Sequence, residues 1–500
     1  MIQIIAIDLP SQTTTRIEKN LTLMTTTLYW HDYETWGVDP RRDRAAQFAG
    51  IRTDIELNII GKAQMNYCKP ALDMLPHPEA CLLTGITPQI ALADGLCEAE
   101  FMSEIHRAFM QPGTCGVGYN NLRFDDEFTR YGFYRNFYDP YEREWRNGNS
   151  RWDIIDMLRL CHALRPEGIE WPKNEDGATS FRLEDLTKAN NIMHEGAHDA
   201  LSDVYATIEL ARLVRDCNPK LYNYLFDMRD KRKLAGNLNI QEKNIILHVS
   251  SMYPAKLGCI APVIPLAAHP VNKNGIIVFD LRHDPEPLLT LNADEIQKRL
   301  FTRSVDLPDG VERIPIKTVH LNKCPVIVPI NTLTPEAAEQ WEIHLEEAEK
   351  NAAKLREKHD LTQKLQSIYS TQQFPTVTDP DQNLYGGGFF SDRDRSLMND
   401  IHNMSTSDLA KTRMQFEDPR LPEMLFRYRA RNWPQSLSKQ ERIQWDEFRR
   451  DRLTNPKTDC GITLSEYQKQ LATMVVSPEM NEEARNILSA LADWPTELGL

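Results

Sequence analysis

The segment Leu28-Tyr29-Trp30-His31-Asp32-Tyr33-Glu34-Thr35 decides how this chain is read. Side chains alternate faces along a strand, so Asp32 and Glu34 at i and i+2 project to one side, about 7 Å apart along the backbone. An isolated Asp-x-Glu is most often a solvated strand edge, but Leu28, Trp30 and Trp36 flank this one and predict a strand that is partly buried. Two like charges in such a place are costly unless a cation compensates them. The segment therefore predicts a strand with a metal-bridging face.

Outward from it, residues 28 to about 217 alternate short apolar runs with helical patterns, the signature of an α/β domain. A hairpin is expected at 51–54 and 57–61 and another buried strand at 114–119. Helices are expected at about 98–110, 125–136, 153–163, 182–190 and 199–216. In the last of these Ala200, Val204, Ile208 and Ala211 share a face, and Asn218-Pro219 ends it. From about 219 to 330 the texture changes to β-branched segments broken by Pro and Gly, with strands of a small barrel or sandwich at 245–249, 275–280 and 326–329. Thr334-Pro335-Glu336 then caps a long charged helical stretch to about Tyr369. A turn-rich linker, 373–383, leads to a helix-patterned remainder.

The expected division is an N-terminal extension at 1–23, an α/β domain at 24–217, a small β domain with its long helix at 218–372, and an α-helical domain at 373–500. Met24 stands directly before the first strand and makes a natural start. Within the extension Asp8 follows a strand-like run but lacks a second carboxylate two residues on, so it receives no role.

Three more residues join the first pair. Asp125 ends Asn121-Leu122-Arg123-Phe124-Asp125, after the strand exit Gly118-Tyr119-Asn120, and opens a helical pattern. A carboxylate there is commonly only a cap. Its neighbour Asp126 is a rival for any metal role, and spacing does not separate them. His198 and Asp203, in His198-Asp199-Ala200-Leu201-Ser202-Asp203, are five apart and would lie about 140° from each other on one helix. The pair makes sense with His198 in the loop before the helix and Asp203 in its first turns.

Composition narrows the class. With 500 residues, 41% hydrophobic and 26% charged, the chain suits two to four globular domains. No apolar run reaches the roughly 18 residues that span a bilayer, and the opening residues do not form a signal peptide, so a cytoplasmic protein with no membrane partner is expected. Nine cysteines, an odd number without a Cys-x-x-Cys pair, read as reduced buried thiols. A net charge of −14 argues at first against nucleic acid, yet an acidic body with one basic groove still binds a strand and limits non-specific adhesion.

Asp-x-Glu on a first strand, Asn-x-x-Phe-Asp at a helix start and His-x4-Asp on a late helix together resemble the DEDDh superfamily of 3′→5′ exonucleases. Longer stretches are similar to the bacterial exodeoxyribonuclease I family: His31 to Thr35, Gly118 to Glu127, Phe133 to Tyr141, Asn149 to Asp153, Ala163 to Ile169, Ser180 to Glu184, His320 to Pro325 and Tyr428 to Asn432. The resemblance runs from about residue 28 to the C-terminus. It implies a ribonuclease H-like exonuclease domain, an SH3-like domain and an α-helical C-terminal domain. It also implies that Asp32, Glu34, Asp125 and Asp203 hold two Mg²⁺ ions, with Mn²⁺ as a substitute, and that His198 is the general base. Two metals roughly 3.5–4 Å apart suit in-line phosphodiester hydrolysis, and imidazole with a pKa of about 6.5 can accept a water's proton near neutrality.

The implied function is Mg²⁺-dependent 3′→5′ degradation of single-stranded DNA to 5′-mononucleotides in repair and recombination. RNA trimming or proofreading within the same superfamily, and a non-catalytic strand-binding adaptor, are the alternatives. Aromatics interleave with arginines at 130–138 and 141–152. This suits a single-strand channel in which Arg130, Tyr141 and Trp145 touch the strand, although many such rings belong to a core. Arg182 is a substrate-binding residue by resemblance, with Glu34 contributing to both substrate and metal. A second basic, aromatic stretch at 427–433 is either another strand contact or a solvated helix face pairing with nearby acids. Gly386-Gly387-Gly388 reads as a turn, since no Lys-Ser or Lys-Thr follows. The resemblance further implies a monomer that binds the acidic C-terminal tail of the single-stranded-DNA-binding protein, at Arg165 and Tyr224.

Overall fold

The computed structural model describes residues 26–194, 199–371, 376–476 and 480–500; the expected 1–23 extension lies outside them. Strand β1 (Thr27–Thr35) sits in the middle of a five-stranded sheet with β2 (Ala45–Thr53), β3 (Ile59–Tyr67), β4 (Thr114–Gly118) and β5 (Ser150–Asp153), in the order β3-β2-β1-β4-β5. The β1–β2 and β2–β3 pairs are antiparallel, and β1–β4 and β4–β5 are parallel. Alternation gives the sheet two different faces. Leu28 and Trp30 pack against Val204 and Ile208 of the helix Ala200–Cys217. Tyr29 and Tyr33 pack with Phe48, Phe101, Phe109 and Phe133, below the helices Glu98–Phe109 and Asp125–Arg135. Covered on both faces, the sheet forms the core of an α/β layer.

Two expectations shift here. The hairpin strands β2 and β3 are longer and further apart than expected. The residues at 54–58 make the turn, with Leu57 at φ 67° and the Asp54 carboxylate accepting from Asn58 N at 2.8 Å. Strand β5 went unread because its four residues run directly into the next pattern, and the helix there spans Ile155–Leu164.

The second sheet comprises β6 (Ile246–Val249), β7 (Ile260–Ala268), β8 (Gly275–Asp280), β9 (Ile316–His320) and β10 (Val326–Pro329), all antiparallel in the order β10-β6-β7-β8-β9. β7 was hidden by Pro262 and Pro265, residues that argue against a central strand; the register shift between Pro265 and Ala267 accommodates one of them. The expected long helix is three, Pro335–Gln340, Leu345–Glu357 and Leu361–Ser370. Thr334 caps the first by accepting from Ala337 N at 3.2 Å. The break follows from Trp341, which turns into the core of the first domain and donates from Nε1 to Ala163 O at 2.8 Å, and from Glu342 at φ 54°.

The 373–383 linker and the 427–433 stretch both need correction. Residues 372–375 lie outside the description, but Asp379 and Asp381 are structural. Arg431 bonds Asp381 at 2.6 Å and Asp73 of the first domain at 2.7 Å, while Arg427 reaches Asp379 at 2.7 Å and Asp381 at 3.1 Å. Arg452 adds Asp379 at 2.7 Å. Beside them Arg44 and Arg135 hold Glu98 at 3.0 and 2.9 Å. The basic stretch does pair with nearby acids, Arg427 with Glu423 at 2.9 Å and Arg429 with Glu441 at 2.8 Å, but it is buried rather than solvated, and through Arg431 it docks the helical domain on the sheet domain. Among the described residues no helix is long and apolar enough to cross a membrane.

Candidate functional site

One side of β1 carries Asp32 and Glu34, and the helix Ala200–Cys217 delivers Asp203 to the same side. Carboxylate oxygens of these three lie within 4.8 Å of one another. Asp203 is four residues into its helix, as the five-residue spacing from the loop required. His198 lies outside the described residues.

Asp125 stands beside this group, not within it, and the backbone of β1 places it there. β1 pairs with β4 only as far as Trp30 opposite Val117, so the later N–H groups on that edge need other acceptors. Asp125 Oδ1 accepts from Tyr33 N at 3.0 Å, which sets its carboxylate beside the strand between Asp32 and Glu34. Asp126 points elsewhere. Fully buried, it pairs with Arg143 and with Arg151 at 2.6 Å, and stands 3.8 Å from His31 Nε2. Burial alone would raise its pKa, but Arg143 and Arg151 hold it well below the usual range. Spacing could not separate these neighbours; their partners do.

The electrostatics of the cluster run the other way. Burial pushes the Glu34 carboxyl up to about 9, with Asp203, Asp125 and Asp199 adding to it. Asp32 is raised by burial, then by Asp125, Glu34, Asp203 and Asp199. Asp125 is raised chiefly by burial. Among the described residues no arginine or lysine pairs with Asp32 or Glu34. A partly buried oxygen-rich donor set of this kind fits hard divalent cations.

Gly118 keeps this geometry possible. A Cβ there would fall 2.8 Å from Asn121 Cβ and 2.9 Å from His31 O, so the turn leading to Asp125 would have to move. Asp153 clamps the same turn by accepting from Asn120 N at 2.9 Å and Leu122 N at 3.3 Å. Gly118→Ala is expected to cost about 1–3 kcal/mol of stability, and to slow turnover more than it weakens strand binding; steady-state kinetics with denaturant unfolding check both.

The remaining expected residues lie apart from the carboxylates and differ in exposure. Arg182 is exposed, 3.6 Å from Glu184. Trp145 is 66% exposed and Tyr141 partly so. Arg130 is buried instead, bonded to Glu127 and Glu144 at 2.6 and 2.8 Å, with its guanidinium 5.5 Å from the Tyr141 ring. A Tyr-flanked loop of the helical domain went unread: Phe389, 85% exposed, and Tyr385 lie 6.3 and 6.5 Å from Tyr141, around a cavity of about 350 Å³. Arg165 donates to Thr332 O at 3.4 Å and Tyr224 to Ile327 O at 3.1 Å, so both stand against one edge of the second domain.

Two polar residues of the site also escaped the sequence reading. His194 Nε2 is 2.5 Å from Asp203 Oδ1, and its Nδ1 is 3.1 Å from Thr187 Oγ1; a second histidine four residues before His198 was the available signal. Gln47, a polar residue inside the apolar run Ala45 to Ala49, lies opposite Glu34 on β2.

Family models match the chain in three places: Exonuclease at 29–211, Exonuclease I SH3-like domain at 229–371, and Exonuclease I C-terminal domain at 378–498. Exodeoxyribonuclease I of Escherichia coli is 46% identical over 473 residues, 94% of this chain and 98% of that protein. The Haemophilus influenzae enzyme is 44% identical over 94% and 98% of the two chains. Among solved structures, a moderately thermophilic exonuclease I from Methylocaldum szegediense superposes with a TM-score of 0.91 at 51% identity, covering 95% of this chain and 99% of its own. E. coli exonuclease I in complex with a dA16 oligonucleotide does so at 0.91 and 46% identity, covering 95% and 100%. With this likeness along nearly its whole length, and with its α/β, SH3-like and helical parts in the family's order, the chain belongs to the exodeoxyribonuclease I family of exonucleases.

Proposed function

We propose that this exonuclease degrades single-stranded DNA from the 3′ end to 5′-mononucleotides, with Mg²⁺ held by Asp32, Glu34, Asp125 and Asp203, in DNA repair and recombination. The observation that carries the reading is the convergence of Asp32, Glu34 and Asp203 within 4.8 Å, with Asp125 fixed beside them by Tyr33 N. Two bound divalent ions would activate a water and stabilise the leaving 3′ oxygen. Mn²⁺ is a substitute, since the donors are all carboxylate oxygens; an E. coli exonuclease I complex with single-stranded DNA has been solved in a zinc-bound form.

The chain's own residues do the rest. Asp125 is oriented by Tyr33 N and Asp203 by its helix. His198, the residue before Asp199 in the sequence, accepts the water's proton. Asp126 stays outside the reaction, occupied by Arg143 and Arg151.

Strand binding is supported by Tyr141, Trp145, Tyr385 and Phe389, whose rings offer sequence-independent stacking surfaces. Arg130 then acts from beneath Tyr141, as its support. A cavity of about 380 Å³ between the first two domains is lined by Arg123, Lys317 and Lys323 together with Asp153 and Asp156, a slight excess of basic groups on an acidic protein. Arg182 faces solvent near a neighbouring cavity, where a phosphate can reach it. The E. coli enzyme is known in complex with dA16 and dT13 oligonucleotides. Arg165 and Tyr224 offer an acidic tail, that of the single-stranded-DNA-binding protein, a cation and an aromatic ring on one edge. The protein acts as a cytoplasmic monomer.

The test uses 3′-labelled single-stranded DNA, duplex DNA and RNA, each with Mg²⁺ or chelator. Labelled mononucleotide is expected first from single-stranded DNA with Mg²⁺. Release from RNA but not DNA overturns the substrate, and activity in chelator overturns the metal role.

A further inference from the structure

We propose that Gln47 is a positioning residue for this reaction: through Asp199 and Ala200 it fixes the start of the helix carrying Asp203, next in sequence to His198. The inference rests on the roles proposed above for His198 and Asp203, and it concerns a residue outside the carboxylate set.

Gln47 is 2% exposed in the middle of β2, directly opposite Glu34, so its side chain shares the carboxylate face of the sheet. Its Oε1 accepts from Ala200 N at 3.2 Å, and its Nε2 donates to Asp199 Oδ1 at 3.4 Å. Ala200 N–H belongs to the first turn of the helix and has no intrahelical acceptor. Asp199 is the cap of the same helix, its other oxygen accepting from Ser202 N at 3.3 Å.

An amide suits this place because the junction asks for one acceptor and one donor at once. A carboxylate would keep the bond from Ala200 N and set a negative charge against Asp199. A hydrocarbon would leave a buried N–H without a partner. Gln47 thus ties β2, which runs beside Glu34, to the start of the helix that carries Asp203. Asp203 is then referenced to the same strand pair that carries Asp32 and Glu34, and His198 directly precedes Asp199 in the sequence.

Outer partners of this kind typically change activity about 10- to 100-fold when altered, and a displacement of about 1 Å has a comparable effect. Gln47→Glu is accordingly expected to lower kcat roughly 10- to 100-fold, with KM and the affinity for a single-stranded oligonucleotide in Ca²⁺ unchanged. Asp199→Ser keeps a capping oxygen but is too short to reach Gln47, and is expected to show the same kcat loss. The double variant Gln47→Glu/Asp199→Asn restores the pair with donor and acceptor exchanged, and is expected to recover most of the rate.

Wild-type turnover by Gln47→Glu, or a double variant no faster than Gln47→Glu alone, overturns the proposal. Should Gln47→Glu fail to fold, Asp199→Ser at its exposed position decides, and wild-type kcat there overturns it. A wild-type enzyme that releases no mononucleotide from single-stranded DNA with Mg²⁺ removes the underlying reading instead, and does so before any variant is measured.

Discussion

Asp32→Asn is expected to abolish nucleotide release and, in the absence of metal, to raise the melting temperature. The first half follows from the loss of a charged ligand at a site where bound metal contributes several kcal/mol, a fall of about a thousandfold or more. The second half follows from what surrounds the side chain. Asp32 is raised by burial and by four carboxylates, Asp125, Glu34, Asp203 and Asp199, so its charge opposes folding until a cation is bound. The amide has the same shape and no charge.

The same repulsion gives the metal-free enzyme a characteristic pH dependence. Glu34 has its folded-state pKa raised from 4.5 to about 9. Its contribution to stability is fully present below the unfolded value and is lost as pH rises through the folded one. Metal-free wild-type enzyme is therefore expected to lose stability steadily from pH 4.5 to about 9, and Mg²⁺ to restore it, because the ion binds the folded state alone. Asp32→Asn should show a shallower decline and melt several degrees higher at pH 8 without metal. Calorimetry in chelator across this range measures both; an Asn variant melting below wild type at pH 8 would contradict the argument.

What was legible in the sequence was whatever depended on local pattern. Asp32 and Glu34 could be placed on one face because strand alternation is a property of three residues. Asp203 could be placed in a first helical turn because the five-residue spacing from His198 excluded a shared helix face. Asp125 and Asp126 could not be told apart, since the difference lies in Arg143 and Arg151, 17 and 25 residues away, and in a strand edge that outruns its neighbour. Arg130 carried the composition of a strand contact, yet Glu127 and Glu144 claim its guanidinium. Pro262 and Pro265 concealed a central strand whose register shift no local rule reveals. At 427–433 the pairing with nearby acids, Glu423 and Glu441, was legible, but the burial was not, because Asp73 and Asp381 come from distant parts of the chain.

That last group supports the second large effect: Arg431→Met is expected to destabilise the enzyme by about 3–5 kcal/mol and to weaken strand binding more than chemistry. The Arg431 side chain is 3% exposed and bridges Asp73 and Asp381, themselves 0% and 4% exposed. Removing it leaves Asp73 with Arg44 and Arg452 at 3.7 and 3.9 Å, and Asp381 with Arg427 at 3.1 Å. Burial raises both carboxyls, but in the intact protein the arginines outweigh it and hold both well below the usual range. Depressed groups contribute stability above their unfolded pKa, about 4 for Asp, that is lost as pH falls through the folded value. The wild-type docking therefore tolerates mild acid, and the variant is expected to unfold at a higher pH on acid titration. Arg431→Lys should not rescue it, because one ammonium lacks the planar fork that serves two carboxylates at once. Loosened docking separates Tyr385 and Phe389 from Tyr141, so at a temperature where the variant remains folded KM should rise several-fold, with kcat held. Equal losses in kcat and kcat/KM would instead place the network's effect on the carboxylate site.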